Sequence, residues 1–439
     1  MDAVARTPSP TGAAPSRIGR GRLIVWGAFA AILIVAPLLF GNNLGLTILT
    51  SIGVAIVACL SYNMLLGQGG MLSFGHAVYT GLGSFVAIHA LLGIGDGSFP
   101  IPVSLIPLVG GLAGTVFAVI LGFVTTKKAG TPFAMITLGI GELVFAMSLM
   151  IPEFFGGEGG VTANRVVGKA VFGITIGPQI QVYYLIAVYT IICTAAMFAF
   201  TRTPLGRMLN ATRDNPERVE FIGYSTQSVR YISFIIAGFF AGVAGGMYAL
   251  NFEIATAEVV GAYRSGGYLL FTFLGGATFF FGPIIGAVLM VLSSVLLSEL
   301  TKAWQLYLGL VFLFMVMYAP GGIASLVMMN LRVAMHGKLR RLLGWYVVIT
   351  ATALAMLAGF GAMIEMVYRL QLDTEGGSTL LRYLGTTLDA RSGVSWTAAI
   401  AVAGIGMAAF EFVRRRFARE WSRIQVEIET EAAAQRAPA

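Results

Sequence analysis

The sequence predicts an all-α, polytopic transmembrane helix bundle. Hydrophobic residues make up 57% of the 439 residues and charged residues only 11%, which is far from the composition of a soluble globular protein. Apolar stretches long enough to cross the roughly 30 Å hydrocarbon core recur along the chain, and basic residues fall in the loops beside them. We therefore interpret the net charge of +8 as a determinant of topology, and we expect no nucleic-acid partner.

The chain begins with a polar segment, residues 1–22, that is rich in Pro, Gly, Ser and Arg. It leads into an apolar run without a convincing Ala-x-Ala cleavage site, which favours a disordered cytoplasmic tail over a signal peptide. Hydrophobic stretches that predict membrane spans follow at 23–40, 44–66, 71–93, 101–124, 131–152, 182–200, 229–252, 305–327, 343–364 and 395–413.

A further apolar run, residues 267–298, is too long for one ordinary span. Glycines and a proline interrupt it, so it forms either one broken helix or two short ones; these residues are Gly275, Gly276, Gly282 and Pro283. Like the stretch 71–93, it also fits a re-entrant segment.

Loop charges decide the orientation that we expect. Basic clusters fall on the same side of the membrane as the N-terminal tail only if 267–298 crosses twice; the clusters lie at 127–128, 202–220, 332–341 and 414–416. The total is then twelve crossings with both termini in the cytoplasm. About ten crossings form a core domain at 23–330, and two more form an extension at 331–413. A charged tail at 414–439 follows, with alternating acids and bases suited to a solvated helix.

The most informative polar stretch is 203–224, which lies between two hydrophobic spans. Thr203 is a good N-cap and precedes a proline suited to the first helical position. Asp214 or Asn215 can cap a second short helix that again opens with proline, and Gly223 stands where a left-handed C-cap residue is expected. Because helices this short are marginal alone in water, the hairpin needs a surface to pack against.

The charges of this hairpin favour a protein partner. Between Arg202 and Glu220 there are four basic and three acidic residues. The simpler alternative is an amphipathic loop that rests on the membrane surface, but such helices are usually rich in Lys and Arg with few acids.

Polar groups inside the spans mark a second region of interest. Most of the 56 glycines fit packing faces, since small residues let helices approach closely in lipid. The segment 67–76 differs, because glycines and polar residues coincide there at the mouth of a span. Unwound backbone at membrane depth is tolerated only where it faces protein or a water-filled cavity. The ionisable residues expected inside the membrane are His76, His89 and Glu142, and such residues mark either a pathway or a buried partner.

Signatures of catalysis are absent from the sequence. It has no phosphate-binding GxxxxGK[ST] loop, no HExxH and no nucleophile elbow. Cys59 and Cys193 lie in apolar spans without a metal-binding context. We therefore expect no enzyme activity, no cofactor and no metal, and any energy from nucleotide hydrolysis has to come from another polypeptide.

Five segments taken together resemble the LivM-type permease subunits of branched-chain amino acid ABC transporters. They are GQGGMLSFGHAVYTGLGSFVA (67–87), GTPFAMITLGIGELVF (130–145), the stretch 203–249 that begins TPLGRMLNATRDNPERVEFIGY, FLGGATFFFGPIIGAVL (273–289) and LGLVFLFMVMYAPGGIASLV (308–327). The resemblance covers about residues 25–330. The extension at 331–439 departs from the family pattern.

The resemblance implies a permease in the bacterial inner membrane that pairs with a LivH-like second permease subunit, two cytoplasmic ATP-binding subunits and a periplasmic substrate-binding protein. It implies that 203–224 is the coupling region that seats in a groove of the ATPase. Residues at matching positions are Arg207, Arg213, Asp214, Asn215, Glu220 and Gly223. The substrate class it implies is branched-chain amino acids, although relatives in the family carry urea, short amides or aromatic acids.

The translocation path is expected between this chain and a second permease, lined by parts of 67–85, 130–145 and 267–285. Its candidate residues are Gln68, Ser73, His76, Thr137 and Glu142. The alternative from another class is a proton- or ion-coupled secondary transporter with Glu142 and His76 as its proton groups. Such a carrier usually shows an internal repeat and paired intramembrane charges, and neither is evident here. A structural membrane subunit of a larger complex remains a third interpretation.

Overall fold

A computed structural model describes residues 20–167, 175–372 and 380–434, and most of these residues are helical. Within these ranges, nine helices are long and apolar enough to cross a membrane, or ten if a bent pair of shorter helices counts as one span. The prediction of an all-α polytopic bundle is confirmed. Residues 1–19 of the predicted N-terminal tail and 435–439 of the C-terminal tail lie outside the described residues.

The first part of the chain forms ten helices and two short strands. In order, the helices are α1 (Arg20–Leu39), α2 (Asn43–Asn63), α3 (Ala77–Gly95), α4 (Ile106–Thr125), α5 (Thr131–Met150), α6 (Pro152–Phe155), α7 (Gln179–Arg202), α8 (Pro204–Asp214), α9 (Pro216–Phe221) and α10 (Thr226–Phe252). The strands β1 (Val161–Thr162) and β2 (Ile254–Ala255) pair antiparallel. A π-helical turn, Met64–Gln68, extends the end of α2.

The second part has seven helices and a β-hairpin. The helices are α11 (Ala262–Gly275), α12 (Gly282–Leu292), α13 (Ser298–Leu300), α14 (Trp304–Tyr318), α15 (Gly322–Met335), α16 (Leu339–Leu372) and α17 (Gly393–Ala434). The antiparallel strands β3 (Leu380–Tyr383) and β4 (Thr386–Asp389) form the hairpin.

Three of the expected spans differ from the sequence prediction. The apolar part of α1, Ile24–Leu39, is shorter than a full span. The run 267–298 becomes the 14-residue α11 and a longer helical stretch, Gly282–Leu300, of which only the second is long enough to cross. The expected span 305–327 is broken into α14 and α15 with a bend of 52°. On length and composition the described helices therefore do not reach the twelve expected crossings.

The break between α14 and α15 has a local cause. Pro320 follows the last residues of α14, and proline has no amide hydrogen and disfavours helical geometry in the residue before it. Gly322 then adopts a φ of +68°, which a residue without a Cβ atom reaches readily.

Contacts divide the chain into two compact units. The first comprises residues up to Thr272 together with Gly286–Val291, and the second comprises Phe273–Ile285 and the residues from Leu292 onward. The predicted domain boundary near 330 stays a prediction.

The first unit is closely packed where α3, α4 and α10 meet at three glycines. A Cβ atom built on Gly83 would lie 2.7 Å from the Cα atom of Gly242 and 3.0 Å from the carbonyl oxygen of Gly110. Helices lacking side chains at a contact can bring their backbones together. These glycines therefore serve as packing faces, as the sequence indicates for most of its intramembrane glycines.

A hydrogen-bonded network ties the C-terminal end of α10 to α2 and α7. Asn251 Oδ1 lies 2.8 Å from Thr50 Oγ1 and 2.9 Å from Gln179 Nε2, both of which donate to it. Arg165 donates to Gln179 Oε1 at 3.0 Å and to the carbonyl oxygen of Leu250 at 3.2 Å. The network fixes the segment that carries β1 against the end of α10.

In the second unit, α16 and α17 pair antiparallel. Gly359 packs on Ala403, and Gly406 packs on Met356. The 42 residues of α17 give a length of about 63 Å at 1.5 Å per residue, about twice the hydrocarbon thickness. Its charged C-terminal part, within the predicted tail 414–439, continues the helix without a break and buries an apolar cluster: Val333, Leu342, Ile424 and Ile428.

Candidate coupling hairpin and translocation path

The hairpin 203–224 folds as its capping residues predict. Thr203 Oγ1 accepts a hydrogen bond of 3.1 Å from the amide of Gly206 at the start of α8. Asn215 Oδ1 accepts one of 3.1 Å from the amide of Arg218 at the start of α9, so Asn215 is the cap and Asp214 is the last residue of α8. Gly223 has a φ of +88°, the left-handed geometry expected after a helix.

The apolar residues of the hairpin face two ways. Leu209 and Val219 are buried against the rest of the unit. Phe221 is 89% exposed and Ile222 is 61% exposed. Tyr224, which the sequence analysis did not single out, is also half exposed. One side of the hairpin is thus anchored, whereas its end presents large apolar side chains to the outside of the unit.

Arg213 connects the hairpin to the segment that precedes α3. Its guanidinium donates to the carbonyl oxygen of Gly67, and its Nε atom donates to Asp214 Oδ1 at 2.9 Å. Gly70 has a φ of +63°, and a Cβ atom there would lie 2.7 Å from Arg213 Cγ. The two segments therefore touch so closely that a side chain at position 70 would displace Arg213.

The other predicted coupling residues have different environments. Glu220 Oε1 accepts a hydrogen bond of 2.8 Å from Thr226 Oγ1 at the start of α10, which ties the end of α9 to that helix. Arg207 and Gly223 are exposed. Asp214 forms an ion pair with Arg213, in which Asp214 Oδ1 lies 2.9 Å from Arg213 Nη2. All six predicted coupling residues therefore lie on this hairpin. Some of them form hydrogen bonds within the unit, and the others are exposed on its surface.

The segment between α2 and α3 is not helical, so the span expected at 71–93 begins only at Ala77. After the π-helical turn, residues 69–75 continue without regular helix until α3 begins at Ala77. Tyr62 donates to the carbonyl oxygen of Ser73 at 3.0 Å, and the amide of Phe74 donates to Thr137 Oγ1 at 3.1 Å. The irregular backbone is thus satisfied by α2 and α5, which is the condition for such backbone in a membrane.

His76 ends this segment and is fully buried. Its Nε2 atom lies 2.8 Å from Ser61 Oγ, and its ring meets those of Tyr62 and Tyr268 edge to face, with centroids 5.2 Å and 6.5 Å away. The amide of Ala77 donates to Ser265 Oγ at 3.0 Å. No sequence pattern indicates Ser61 or Ser265, because single serines in apolar spans carry no motif.

Buried polar atoms without a partner gather in the same segment. In the part of the chain that the structure describes, no hydrogen bond reaches four such atoms that lie between residues 63 and 76: Asn63 Oδ1, Gln68 Oε1, Ser73 Oγ and His76 Nδ1. Buried polar groups are normally hydrogen-bonded. Among the described residues, hydrogen-bonding capacity without a protein partner is therefore concentrated in this segment.

The structure separates Glu142 from the other path candidates. Thr137 is buried and contacts Phe74, whereas Glu142 is exposed on α5. Five residues at 3.6 per turn place the two side chains about 140° apart around the helix. Gln68, Ser73 and His76 lie between α2 and α3, in the segment that Thr137 contacts from α5. Glu142 lies on the outer surface of this chain.

Comparisons with known proteins agree with this architecture. A family model described as "Branched-chain amino acid transport system / permease component" matches residues 44–320. No solved structure matches the chain.

Three curated relatives resemble the chain. It is 26% identical over 300 residues to the high-affinity branched-chain amino acid transport system permease protein LivM of Salmonella typhimurium and 25% identical over 300 residues to LivM of Escherichia coli, with 63% of this chain and 69% of each relative covered. It is 26% identical over 294 residues to the guanosine ABC transporter permease protein NupQ of Bacillus subtilis, with 62% of this chain and 74% of that protein covered. The chain therefore belongs to the permease component family of branched-chain amino acid transport systems.

Proposed function

We propose that this chain is one of two permease subunits of an ABC importer in the bacterial inner membrane, with both termini in the cytoplasm. In this proposal, separate ATP-binding subunits drive the transport of branched-chain amino acids, or of a related small polar solute, delivered by a periplasmic binding protein. The LivM relatives have branched-chain amino acid transport in their names, and the family model carries the same description.

The hydrogen bond from Arg213 to the carbonyl of Gly67 is the observation that carries this proposal. It attaches a polar hairpin outside the spans to the irregular segment that ends at the buried His76. A partner that pushes or pulls the hairpin would thereby act on the polar interior of the unit. Discrete packed elements with two arrangements are how such a displacement is transmitted through a protein.

The end of the hairpin has the character of a docking surface. Phe221 and Ile222 are exposed there, beside Arg218 and Glu217. Aromatic and aliphatic anchors surrounded by mixed charge are typical of protein interfaces. We assign this surface to the groove of an ATPase subunit.

Glu142 supports a path shared with a second permease. A carboxylate in the middle of the 20-residue α5 is costly if it faces lipid. Because this side chain is exposed on the chain by itself, a second permease subunit covering that face would remove it from lipid. The path would then lie between this chain and its partner, lined here by the exposed face of α5 and by the polar segment 67–76 that α5 contacts through Thr137.

The first experiment is to express the chain with its genomic neighbours, purify it by a tag on this subunit and identify the proteins that accompany it. Copurified ATPases whose activity rises with a loaded binding protein support the importer. A chain that purifies alone and takes up solute under a proton gradient supports the secondary transporter instead and refutes the proposal.

Charge reversal tests the hairpin directly. Arg213→Glu and Glu220→Lys should lower both uptake and the stimulation of ATP hydrolysis, while the amount of inserted protein stays the same. Lys128→Glu is the matched control, since it reverses an exposed charge in the loop between α4 and α5, outside the hairpin. Unchanged uptake in the Arg213 variant would refute the coupling role.

A further inference from the structure

Arg264 lies in the first turn of α11, where two tyrosines contact its guanidinium. Its guanidinium stacks on the ring of Tyr248 at 4.9 Å, and its Nε atom donates to Tyr268 Oη at 3.4 Å. The side chain is only partly exposed. Across residues 20–167, 175–372 and 380–434, no carboxylate lies within ion-pair distance of it.

The position of Arg264 is well defined by its neighbours. The next residue, Ser265, is fully buried and accepts a hydrogen bond of 3.0 Å from the amide of Ala77. Just before α11, Val259 and Val260 are packed so closely on α3 that a Cβ atom at Gly81 would lie 2.9 Å from the carbonyl oxygen of Val259. The start of α11 is therefore held against α3, which orients the guanidinium.

A second arginine of the same unit, Arg165, shows how a guanidinium with a structural role is hydrogen-bonded in this protein. Arg165 directs its terminal nitrogens at the carbonyl oxygens of Leu250 and Gly177 and at Gln179 Oε1, at 3.0 to 3.2 Å. The terminal nitrogens of Arg264 make no such hydrogen bond in the part of the chain that is described. Stacking on tyrosine recovers part of the cost of withdrawing a cation from water, but it leaves those donors free.

Arg264 also adjoins the polar interior. Its hydrogen-bond partner Tyr268 meets the ring of His76 edge to face at 6.5 Å. His76 ends the segment that holds the unsatisfied polar atoms. The guanidinium thus lies one side chain beyond the region proposed as the translocation path.

We propose that Arg264 binds the carboxylate of the transported solute. The inference rests on the proposed function and adds the chemical class of the substrate. A guanidinium presents a planar fork of donors that matches a carboxylate, and the N-terminal end of α11 favours an anion at the same place. A branched-chain amino acid carries this group, whereas guanosine, in the name of the third relative, does not.

The test uses the whole transporter, copurified with its partners and reconstituted in vesicles with ATP and the loaded binding protein. Initial uptake of leucine is measured for the wild type, Arg264→Gln and Arg264→Lys. Loss of a charge-assisted contact predicts a drop of about tenfold or more for glutamine. Lysine keeps the positive charge but lacks the two parallel N–H donors of the guanidinium, so we expect a leucine uptake rate between those of the wild type and Arg264→Gln. Basal ATP hydrolysis and the copurified subunits should remain as in the wild type.

Arg165→Lys is the matched control, because it alters a structural arginine of the same unit. It should reduce the amount of protein recovered without lowering leucine uptake per assembled complex. Leucine uptake in Arg264→Gln that equals the wild type would overturn the inference, as would a loss that merely follows the loss of assembled subunits. A wild-type complex that takes up no amino acid would overturn the proposed function itself, which separates the two failures.

Discussion

Arg213 of α8 donates a hydrogen bond to the carbonyl oxygen of Gly67, at the end of the π-helical turn that closes α2. A side chain of the polar hairpin is thus attached directly to the backbone of the irregular segment. That segment is held at its other end by Tyr62 and Thr137. Movement of the hairpin would therefore displace a backbone segment that is also hydrogen-bonded to α2 and α5.

Gly70→Ala should uncouple the hairpin from this segment. Both Gly70 and the exposed Gly97 have positive φ, at +63° and +77°, so alanine at either position costs about 1–2 kcal/mol of backbone strain. Only at position 70 would the new methyl group meet Arg213. Uptake and stimulated ATP hydrolysis should fall in Gly70→Ala and stay near wild type in Gly97→Ala. Equal activity of the two variants would contradict the contact with Arg213.

Gly242→Ala should destabilise the first unit. The Cα atom of Gly242 lies at the contact of α10 with α3 and α4, where no methyl group fits. Overpacking a close contact costs about 1–3 kcal/mol. A Cβ atom at Gly139 of α5 meets nothing within 4 Å, so Gly139→Ala should leave stability unchanged or slightly higher. Thermal unfolding of the two purified variants in detergent compares their stabilities. A similar loss of stability in both would show that α10 does not pack tightly on α3 and α4 at Gly242.

Thr50→Val should weaken the link between α2 and α10. Thr50 Oγ1 donates to the buried Asn251 Oδ1 at 2.8 Å, and removing it leaves that acceptor with fewer partners at a cost of about 1–2 kcal/mol. One turn earlier, the side-chain hydroxyl of Thr47 donates to the carbonyl oxygen of Asn43 in its own helix, at 2.9 Å. Thr47→Val is therefore the control, with an expected change within about 0.5 kcal/mol. The same unfolding assay measures the midpoint temperatures of both variants. Equal midpoints for Thr50→Val and Thr47→Val would refute the role of the hydrogen bond to Asn251.

Acid should loosen the C-terminal part of α17. The hydrogen bond from Lys338, at 3.0 Å, holds the pKa of Glu427 below its ordinary value of 4.5, and Arg341 adds to this. Because the folded-state pKa is lowered, the contribution of Glu427 is present above about 4.5 and is lost as the pH falls through the folded-state pKa. The fluorescence of Trp421, which packs on this cluster, should change in that window.

Two substitutions check the source of this acid response. Glu427→Gln should show the loosened state at neutral pH and little further change on acidification. Among the residues that the structure describes, Glu420 pairs with Arg423 of its own helix alone, at 3.3 Å, so Glu420→Gln should respond to acid like the wild type. An unaltered acid response in Glu427→Gln would assign the change to another group.

Much of the hairpin could be predicted from the sequence because its determinants are local. A cap, a following proline and a terminal glycine act within one turn of helix, and the structure has Thr203, Asn215 and Gly223 in those roles. Glycines among polar residues likewise set 67–76 apart, although the sequence predicted a span from residue 71 and α3 begins only at Ala77. The fold class followed from the length and apolar character of the helices.

The arrangement of the path residues could not be read in the same way. Thr137 and Glu142 are close in sequence, yet one is buried and the other exposed, and only the packing of α5 on the segment before α3 decides which face is inside. Arg264 gives no sequence signal at all, because a single arginine at the end of a loop, just before an apolar stretch, looks like an ordinary interfacial cation. That no carboxylate of the described residues pairs with it becomes apparent only when the neighbouring helices are in place.

By itself, the sequence determined that this protein is a helical membrane protein with a capped polar hairpin, since hydrophobic length and capping are properties of short segments. Tertiary structure alone decided that Arg213 reaches Gly67, that Thr50 meets Asn251 and that Arg264 stands beside Tyr268. The first two of these contacts join residues 146 and 201 positions apart. Such pairs are set by which helices pack together, and this depends on close complementarity of side chains across the whole unit.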